Sequence, residues 1–567
     1  MKQVKKQLIK AILKNKVFVV CMFLMSGMTS FMYFFVHYSI DGNVKRLEAK
    51  KFLTEGERAY WQGLNANISL ARSMLIGFTI LTLLVYGLFY YRFYKSQKRT
   101  LGCMKQLGYT DKNLKSVFYK CASGVHFVGV LIGLLGGYFG SELLIKANQE
   151  SYLVVDVVKA LQFKTLVLGI GVPLIGILLV TRWMYTMIQG KETGILISGI
   201  EKERTFSKLL RFANRVSLCF PKKYQLPIRL ALRQPIAALL IWISVMMVSV
   251  LFILAYSLNM SSRSLVASQV MGREYLYDIT FDKPQFTIDD KATYLETSGV
   301  VQTNVEPLEW QVLGMNIEMP LFQLVNDAQQ KIENPKENEV IIPKQLQEIY
   351  KVQKGDTLSL QIGEQSLDCQ VKEIAYNGEV GHVYMNKDTL AQVLGLPKEA
   401  YTGILSMENI KMPESKVITK AQRLEALERE QVSNRVSAVI NQVIGVIMGL
   451  MLLFLALLLN LQSCRKEILI LKGLGYENKR IRGMLINIYG PMIVIAYGVT
   501  LWPAIQVVKG ILRSLSIQIG DYMMFQTNVY VVIGCLILLG LLYYMVQFLF
   551  QFGINRMTKK ENAQWQY

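Results

Sequence analysis

Two short stretches carry the residues best suited to binding chemistry: MKQLGY (Met104 to Tyr109) and, far downstream, LKGLGY (Leu471 to Tyr476). Each writes lysine, leucine, glycine and tyrosine in one order. The first has Lys105, Leu107, Gly108 and Tyr109; the second has Lys472, Leu474, Gly475 and Tyr476. The likeness runs past the core: Lys98-Arg99 stands over Arg465-Lys466, Lys112 over Lys479, and Leu114 over Ile481. Both copies sit between strongly apolar runs. A charged-then-apolar segment written twice implies one surface used twice, by two copies of one partner.

Reactive constellations are scarce elsewhere. There is no G-x-x-x-x-G-K-[ST] phosphate loop, so the chain is not expected to hydrolyse ATP itself. Neither G-x-S-x-G nor H-E-x-x-H occurs, and no catalytic residue is assigned. The seven cysteines are scattered and form no CxxC pair, and His37, His126 and His382 lie far apart. No metal site and no cofactor are expected. The chain reads as a binding and moving part, not an enzyme.

The elements that carry the two motifs are membrane spans. The 567 residues are 52% hydrophobic, with a mean hydropathy of +0.29, more apolar than soluble domains. The apolar residues gather in runs long enough to cross a bilayer as helices. About eight such runs are read: 17–40, 73–94, 123–145, 163–188, 236–258, 437–460, 485–508 and 528–550. The first follows six lysines and is too long for a signal peptide's apolar part, so it reads as an uncleaved anchor. Inside the spans, His126 and Glu142 are the main ionisable groups. That speaks against an ion-coupled carrier, which needs carboxylates at mid-depth. Glycines such as Gly129, Gly133, Gly136, Gly137 and Gly140 read as a close-packing face, not a pore.

Charge sets the orientation. With eight crossings both termini share a side, and lysine and arginine mark the cytoplasmic segments 1–16, 95–122, 189–235, 461–484 and 551–567. The long segment 259–435 holds about 18 basic and 26 acidic residues, so the net +22 of the chain is concentrated in the membrane-flanking loops. A nucleic-acid partner is therefore not expected; the lipid membrane is.

A second likeness marks the start of each half. LIKAILKNK (Leu8 to Lys16) resembles PIRLALRQP (Pro227 to Pro235). It reads either as a helix in the headgroup layer or as a charged stop before a span. The expected fold class is thus an α-helical integral membrane protein of about eight transmembrane helices in two parallel four-helix repeats. An interfacial helix 1–16 precedes the first repeat, 17–188, with its outer segment 41–72 and inner loop 95–122. A cytoplasmic linker and second interfacial helix, 189–235, lead to span 236–258. Spans 437–550, with inner loop 461–484, complete the second repeat before the tail 551–567.

The segment 259–435 reads as an α+β extracytoplasmic domain. Strand-like runs occur in YLYDITFD, NEVIIPKQL, DTLSLQIG, LDCQVKEIAYN and GHVYMN, with turns at Lys354-Gly355-Asp356 and Asn377-Gly378. From Ile236 to Met271 there is neither glycine nor proline; from Glu414 to Asn460 there is no proline, and glycine first appears at Gly445. Val417, Ala421, Leu424, Leu427, Val432 and Val436 recur at helical spacing. Each span is expected to continue above the bilayer as a stalk, with Ser264 and Leu265 on one helix and Leu424 and Leu427 on the other. Two ordinary helices packed at the domain base would read the same way.

These residues carry a family likeness. RKEILILKGLGYENKRIRGMLI (Arg465 to Ile486) resembles the signature of FtsX-like, MacB-type ABC transporter permeases, and KRTLGCMKQLGYTDKNLKSVF (Lys98 to Phe118) is similar, with Thr100 where the second copy has Glu467. EVIIPKQLQEIYKVQKGDTLSLQI (Glu339 to Ile362) resembles the outer domain of the same family. With two repeats in one chain, the outline is similar to the bacitracin-resistance members, which carry ten spans. The resemblance implies that Lys105, Leu107, Gly108, Tyr109, Lys472, Leu474, Gly475 and Tyr476 couple to a cytoplasmic ATP-binding subunit, present in two copies. It implies mechanotransmission in a bacterial plasma membrane: ATP hydrolysis in the partner moves the outer domain. That domain would act on antimicrobial peptides, lipopeptides or other membrane-associated hydrophobic ligands, for export, extraction or resistance. An accessory lipoprotein, a histidine kinase or a cell-wall enzyme are possible further partners. The competing reading is a non-transporting sensor or scaffold that signals to a histidine kinase or controls a cell-wall hydrolase.

Overall fold

The computed structural model describes residues 2–50, 52, 55–154, 156–189, 225, 235–286, 292–305, 307–317, 320–463, 468, 470–471, 473–477, 480, 489–519 and 522–562. The expected second interfacial helix at 227–235 lies outside these residues except for Pro235, as do Lys472, most of the linker 189–235 and the last residues of the tail.

The chain opens with α1 (Lys2–Lys14), α2 (Lys16–Glu48), α3 (Glu55–Ser96), α4 (Lys98–Gln106), α5 (Asp111–Tyr152) and α6 (Phe163–Gln189). After the linker comes α7 (Pro235–Val270), then a β-rich domain containing α8 (Lys344–Tyr350) and α9 (Lys387–Val393). The chain returns through α10 (Lys420–Glu430), α11 (Val432–Ser463), α12 (Tyr489–Ile519) and α13 (Val529–Asn562). Among the described residues, eight helical stretches are long and apolar enough to cross a membrane.

Packing follows from side-chain size and from polar satisfaction. α2 packs on α3 and α5, and α3 on α6; α7 packs on α11 and α12, and α11 on α13. The contact of α2 with α5 needs the glycines of α5. A methyl group at Gly133 would sit 2.5 Å from the Gly27 carbonyl oxygen, so the two backbones touch only because no side chain intervenes. α2 also runs past its apolar stretch to Glu48. Polar side chains buried there find partners across the bundle: His37 Nδ1 lies 2.8 Å from Asp41 Oδ1, the Gln162 amide donates to Asp41 at 2.8 Å, and Asn43 donates to the Val158 carbonyl at 2.9 Å. Thus part of the expected outer segment 41–72 is helix. Of the two ionisable groups noted within the spans, His126 is buried with Nε2 3.4 Å from the Ile170 carbonyl. Glu142 is exposed and pairs with Lys146 at 3.1 Å.

Among the described residues the β-rich domain is a nine-stranded sheet ordered β3-β7-β4-β6-β5-β2-β8-β1-β9. Its strands are β1 (Tyr277–Gln285), β2 (Ala292–Val301), β3 (Leu308–Met315), β4 (Glu339–Pro343), β5 (Thr357–Ile362), β6 (Gln365–Ala375), β7 (His382–Met385), β8 (Tyr401–Ser406) and β9 (Ser415–Thr419). Because β2 pairs with both β3 and β5, the first six strands of that order close on themselves, and β8, β1 and β9 extend from the ring. Closure removes the exposed edges that a free sheet would offer. Val301, Val312, Val340, Leu360 and Val383 are wholly buried in the core of the ring.

The two connections to the membrane differ. α7 is unbroken from Pro235 to Val270, and Gly272, with φ +73°, turns the chain into the domain. A Cβ there would lie 2.3 Å from the Gln323 carbonyl oxygen. The returning connection is not one helix. Val417, counted with the helical stalk by its spacing, lies in β9 and pairs with Ile279 of β1. The helix starts only after Thr419, which forms a capping box with Gln422, and it pauses at Gln431 between α10 and α11. Hydrogen bonding to β1 outcompetes the helical pattern of that stretch.

Candidate functional sites

The two repeated turns share one geometry. In the first, α4 ends at Leu107, and Gly108 takes φ +85°. The Gly108 amide donates to the Lys105 carbonyl and the Tyr109 amide to the Met104 carbonyl, each at 3.1 Å. These two bonds complete a Schellman cap. In the second, Gly475 takes φ +84° and the Tyr476 amide donates to the Leu471 carbonyl at 3.1 Å. Leu107 is 77% exposed and Leu474 70% exposed, so each turn holds one apolar side chain out in solvent. Tyr109 and Tyr476 instead turn inward and pack against one hydrophobic cluster.

Both turns lie at the end of the helix bundle remote from the β-rich domain. α11 leaves the domain at Val432 and runs 32 residues, which an α-helix spans in about 48 Å. Near its far end the Leu459 carbonyl accepts a hydrogen bond from Arg92 Nη1 at 3.2 Å. Arg92 and Leu459 are 367 positions apart, the same offset that separates Gly108 from Gly475. Gly108 therefore follows Arg92 at the same distance along the chain as Gly475 follows Leu459.

Lys105 is not presented outward. Its side chain is 14% exposed, and the ammonium pairs with Asp111 at 2.9 Å. Asp111 also accepts from the Tyr185 hydroxyl at 2.7 Å. Lys105 and Tyr185 brace the turn against α6, a role invisible in sequence because the two residues belong to different helices. Among the cations that flank this turn in sequence, Arg99 and Lys112 are exposed. At the second turn, Arg480 lies 5.5 Å over the Tyr476 ring.

The other cluster sits where α7 and α10 meet the domain. Glu379, in the loop before β7, receives Arg273 from the end of α7 at 3.0 Å and an ion pair from Arg423 of α10. Arg423 also lies 3.5 Å from Asp278 and donates to the Tyr275 hydroxyl at 3.1 Å. Tyr294 donates to Asp278 at 2.8 Å. Burial alone would raise the Glu379 pKa, but the charges of Arg423, Arg273 and His382 outweigh it and hold the carboxyl well below the usual range. Asp278 behaves oppositely: burial pushes it up to about 6 despite Tyr294 and Arg423. His382 is raised by Glu296 and Glu379, against the opposing effect of its burial. Beside this cluster a cavity of about 340 Å³ is lined by Leu265, Leu427, Glu379, His382 and Arg423 among others. Two of the four stalk residues reach the junction. Leu265 and Leu427 line the cavity, Ser264 accepts from Gln526 at 2.6 Å, and Leu424 is half-buried on α10. Sequence reading missed Arg273, Glu379 and Arg423, whose charges look like surface residues until the fold brings them together.

No group of three or more histidine, cysteine or carboxylate side chains that could hold a metal ion occurs among the described residues.

Residues 72–193 match the family model of the FtsX-like permease C-terminal domain. The match spans the membrane part of α3, all of α4, the Leu107–Gly108 turn, α5 and α6. It supports the FtsX and ABC permease family and, with the eight apolar helices, a multi-pass membrane protein. Permeases of that kind typically work with ATP-binding subunits. No curated protein matches the chain.

Proposed function

Taking residues 72–193 as an FtsX-like permease domain, we propose that the chain is the permease subunit of an ABC transporter. Two copies of a separate ATP-binding subunit dock on the Leu107 and Leu474 turns. The observation that carries this reading is the pair of turns: matching left-handed glycines, matching caps, and one exposed leucine on each. A capped turn presents its leucine with little conformational freedom left to lose on binding. Burying a leucine in a partner's pocket contributes about 1.5–3 kcal/mol.

ATP binding draws the two partner copies together, and the turns with them. The motion passes along α11 and α7 to the junction around Glu379 and so to the β-rich domain. Both termini and the basic loops lie in the cytoplasm of a bacterial cell, and the domain lies outside. There it acts on a membrane-associated hydrophobic ligand, of which antimicrobial peptides and lipopeptides are the leading class. ATP hydrolysis belongs to the partner.

The test is co-purification of the full chain with the ATP-binding subunits of its own cell. Leu107→Asp and Leu474→Asp should each weaken retention, and the double variant should abolish it while the protein stays monodisperse. Undiminished retention by the double variant would remove the basis of the reading.

A further inference from the structure

At the basic end of the bundle α1 lies across α2 and α5. The three helices leave an apolar groove of about 480 Å³ between them. Ile9 and Leu13 form one wall, Val20 and Phe23 the second, and Val125 and Val128 the third. Gly124 opens the groove: a Cβ added there would meet nothing within 4 Å. Apart from Lys120 and the Cys121 thiol, the lining residues are apolar or glycine.

The rim is cationic. Lys120 lines the groove and is exposed. On α1, Lys6, Lys10 and Lys14 are exposed and recur every fourth residue, which sets them in one row along the helix. At 100° per residue that row lies beside Ile9 and Leu13, while Leu8 and Ile12 face the core. No carboxylate pairs with Lys10, Lys14, Lys16 or Lys120 among the described residues. An apolar slot with unneutralised ammonium groups along its edge is complementary to a molecule with a hydrocarbon chain and an anionic head. A peptide segment fits less well, because the slot offers almost nothing to its backbone amides and carbonyls.

We propose that this groove binds one anionic phospholipid. An acyl chain lies between α1, α2 and α5, and the phosphate sits against Lys120 and the lysine row of α1. The site fastens α1 to the bilayer surface and makes the bundle sensitive to lipid charge. The inference rests on the membrane reading of the helices, not on ATP coupling, so its test needs no partner.

The full chain, purified in mild detergent and titrated with phosphatidylglycerol or phosphatidylcholine, is examined by native mass spectrometry. One phosphatidylglycerol adduct is expected to persist at about tenfold lower lipid concentration than the phosphatidylcholine adduct. Gly124→Leu fills the slot from an open position and exchanges glycine for a better helix former; it should remove the adduct. Lys120→Gln combined with Lys10→Gln, both on exposed side chains, should leave an adduct that no longer distinguishes the two lipids. Equal retention of both lipids by the unmodified chain, or undiminished phosphatidylglycerol retention in Gly124→Leu, overturns the proposal. If Gly124→Leu does not fold, the lysine variant decides: an unchanged lipid preference there overturns it equally. Loss of the adduct with retained binding of the ATP-binding subunit would separate this site from the docking turns.

Discussion

Glu379→Gln is the most informative single change, because it keeps the shape of the side chain and deletes one charge. Arg273 is 2% exposed and Glu379 13% exposed, so their attraction is poorly screened. Removing the carboxylate leaves Arg273 and Arg423 beside each other without their shared counter-ion. Breaking a buried pair in this way costs about 3–5 kcal/mol. A factor of ten in an equilibrium constant corresponds to about 1.36 kcal/mol. The opening equilibrium of the junction should therefore rise by roughly 2.2 to 3.7 decades. A single melting temperature is a poor measure in a multidomain membrane protein. Hydrogen exchange read on peptides covering 273–280 and 377–385 is direct. Exchange in the transmembrane part of α11 should be unchanged. Arg423→Met should cost less, since Glu379 keeps Arg273, and the double variant should cost less than the two single changes added together. If Glu379→Gln alters exchange of those peptides by less than about threefold, the pairing contributes little and the reasoning fails.

Three further outcomes follow from the same structure. Asp278 has a folded pKa of about 6, above its value near 3.9 in an unfolded chain. The folded domain therefore binds the extra proton, and stability falls as pH rises from about 4 through 6, by on the order of 2–3 kcal/mol. His382, also raised, adds a loss of the same sign as pH rises through its folded pKa. Glu379, depressed, contributes stability that is present above about pH 4 and lost as pH falls. Asp278→Asn should flatten the fall between pH 4 and 7, read as exchange of residues 275–282; an unchanged slope would refute the assignment. Gly108→Ala meets open space, so its cost is the left-handed backbone alone, about 1–2 kcal/mol. Affinity for the ATP-binding subunit should drop about 5- to 30-fold by titration, and no drop would mean that the turn conformation is not read by the partner. Gly133→Ala must push α2 from α5, since its methyl would lie 2.5 Å from a backbone oxygen. Loss of the monodisperse species in detergent is expected; a fully stable variant would show that the contact is loose.

The spans were legible because a run of charge-free apolar residues has one common solution in a bilayer, and the eight helices lie over the eight runs. Helix ends were less legible. α2 continues to Glu48 because Asp41 and Asn43 find partners at Gln162 and Val158, more than a hundred residues away. The strands β1, β4, β5, β6 and β7 stood out as β-rich runs with turn residues between them. β2 did not: its burial follows no simple alternation, because it pairs with β3, β5 and β8 at once. β9 was read as helix, although Thr419 and Gln422 already carried the capping signal that starts α10 one residue later. The exposed leucine of each capped turn could be anticipated from Leu-Gly. The inward turn of Lys105 could not, since it depends on Tyr185 and Asp111.

The connection between the two proposed ends of the mechanism runs through α11, and its contacts restrict how it can move. At the domain end, Ser433 donates to Asn148 at 2.9 Å and its amide to Ser151 at 3.0 Å, both on α5. Just beyond, Arg435 donates to Ser262 of α7 at 3.2 Å. At the far end, Leu459 is held by Arg92 of α3. A helix tied to the first half at both ends cannot slide along its axis without breaking polar contacts at each. Rotation about a point between them strains them less. Partway along that length, Gly445 and Gly449 lie against Leu251 and Val248 of α7. A rotation about that level would carry the Leu474 turn and the α10 junction in opposite directions. Approach of the turns then implies separation or twisting of the stalk at Glu379, where Arg273 and Arg423 hold one carboxylate between two helices that would have to part.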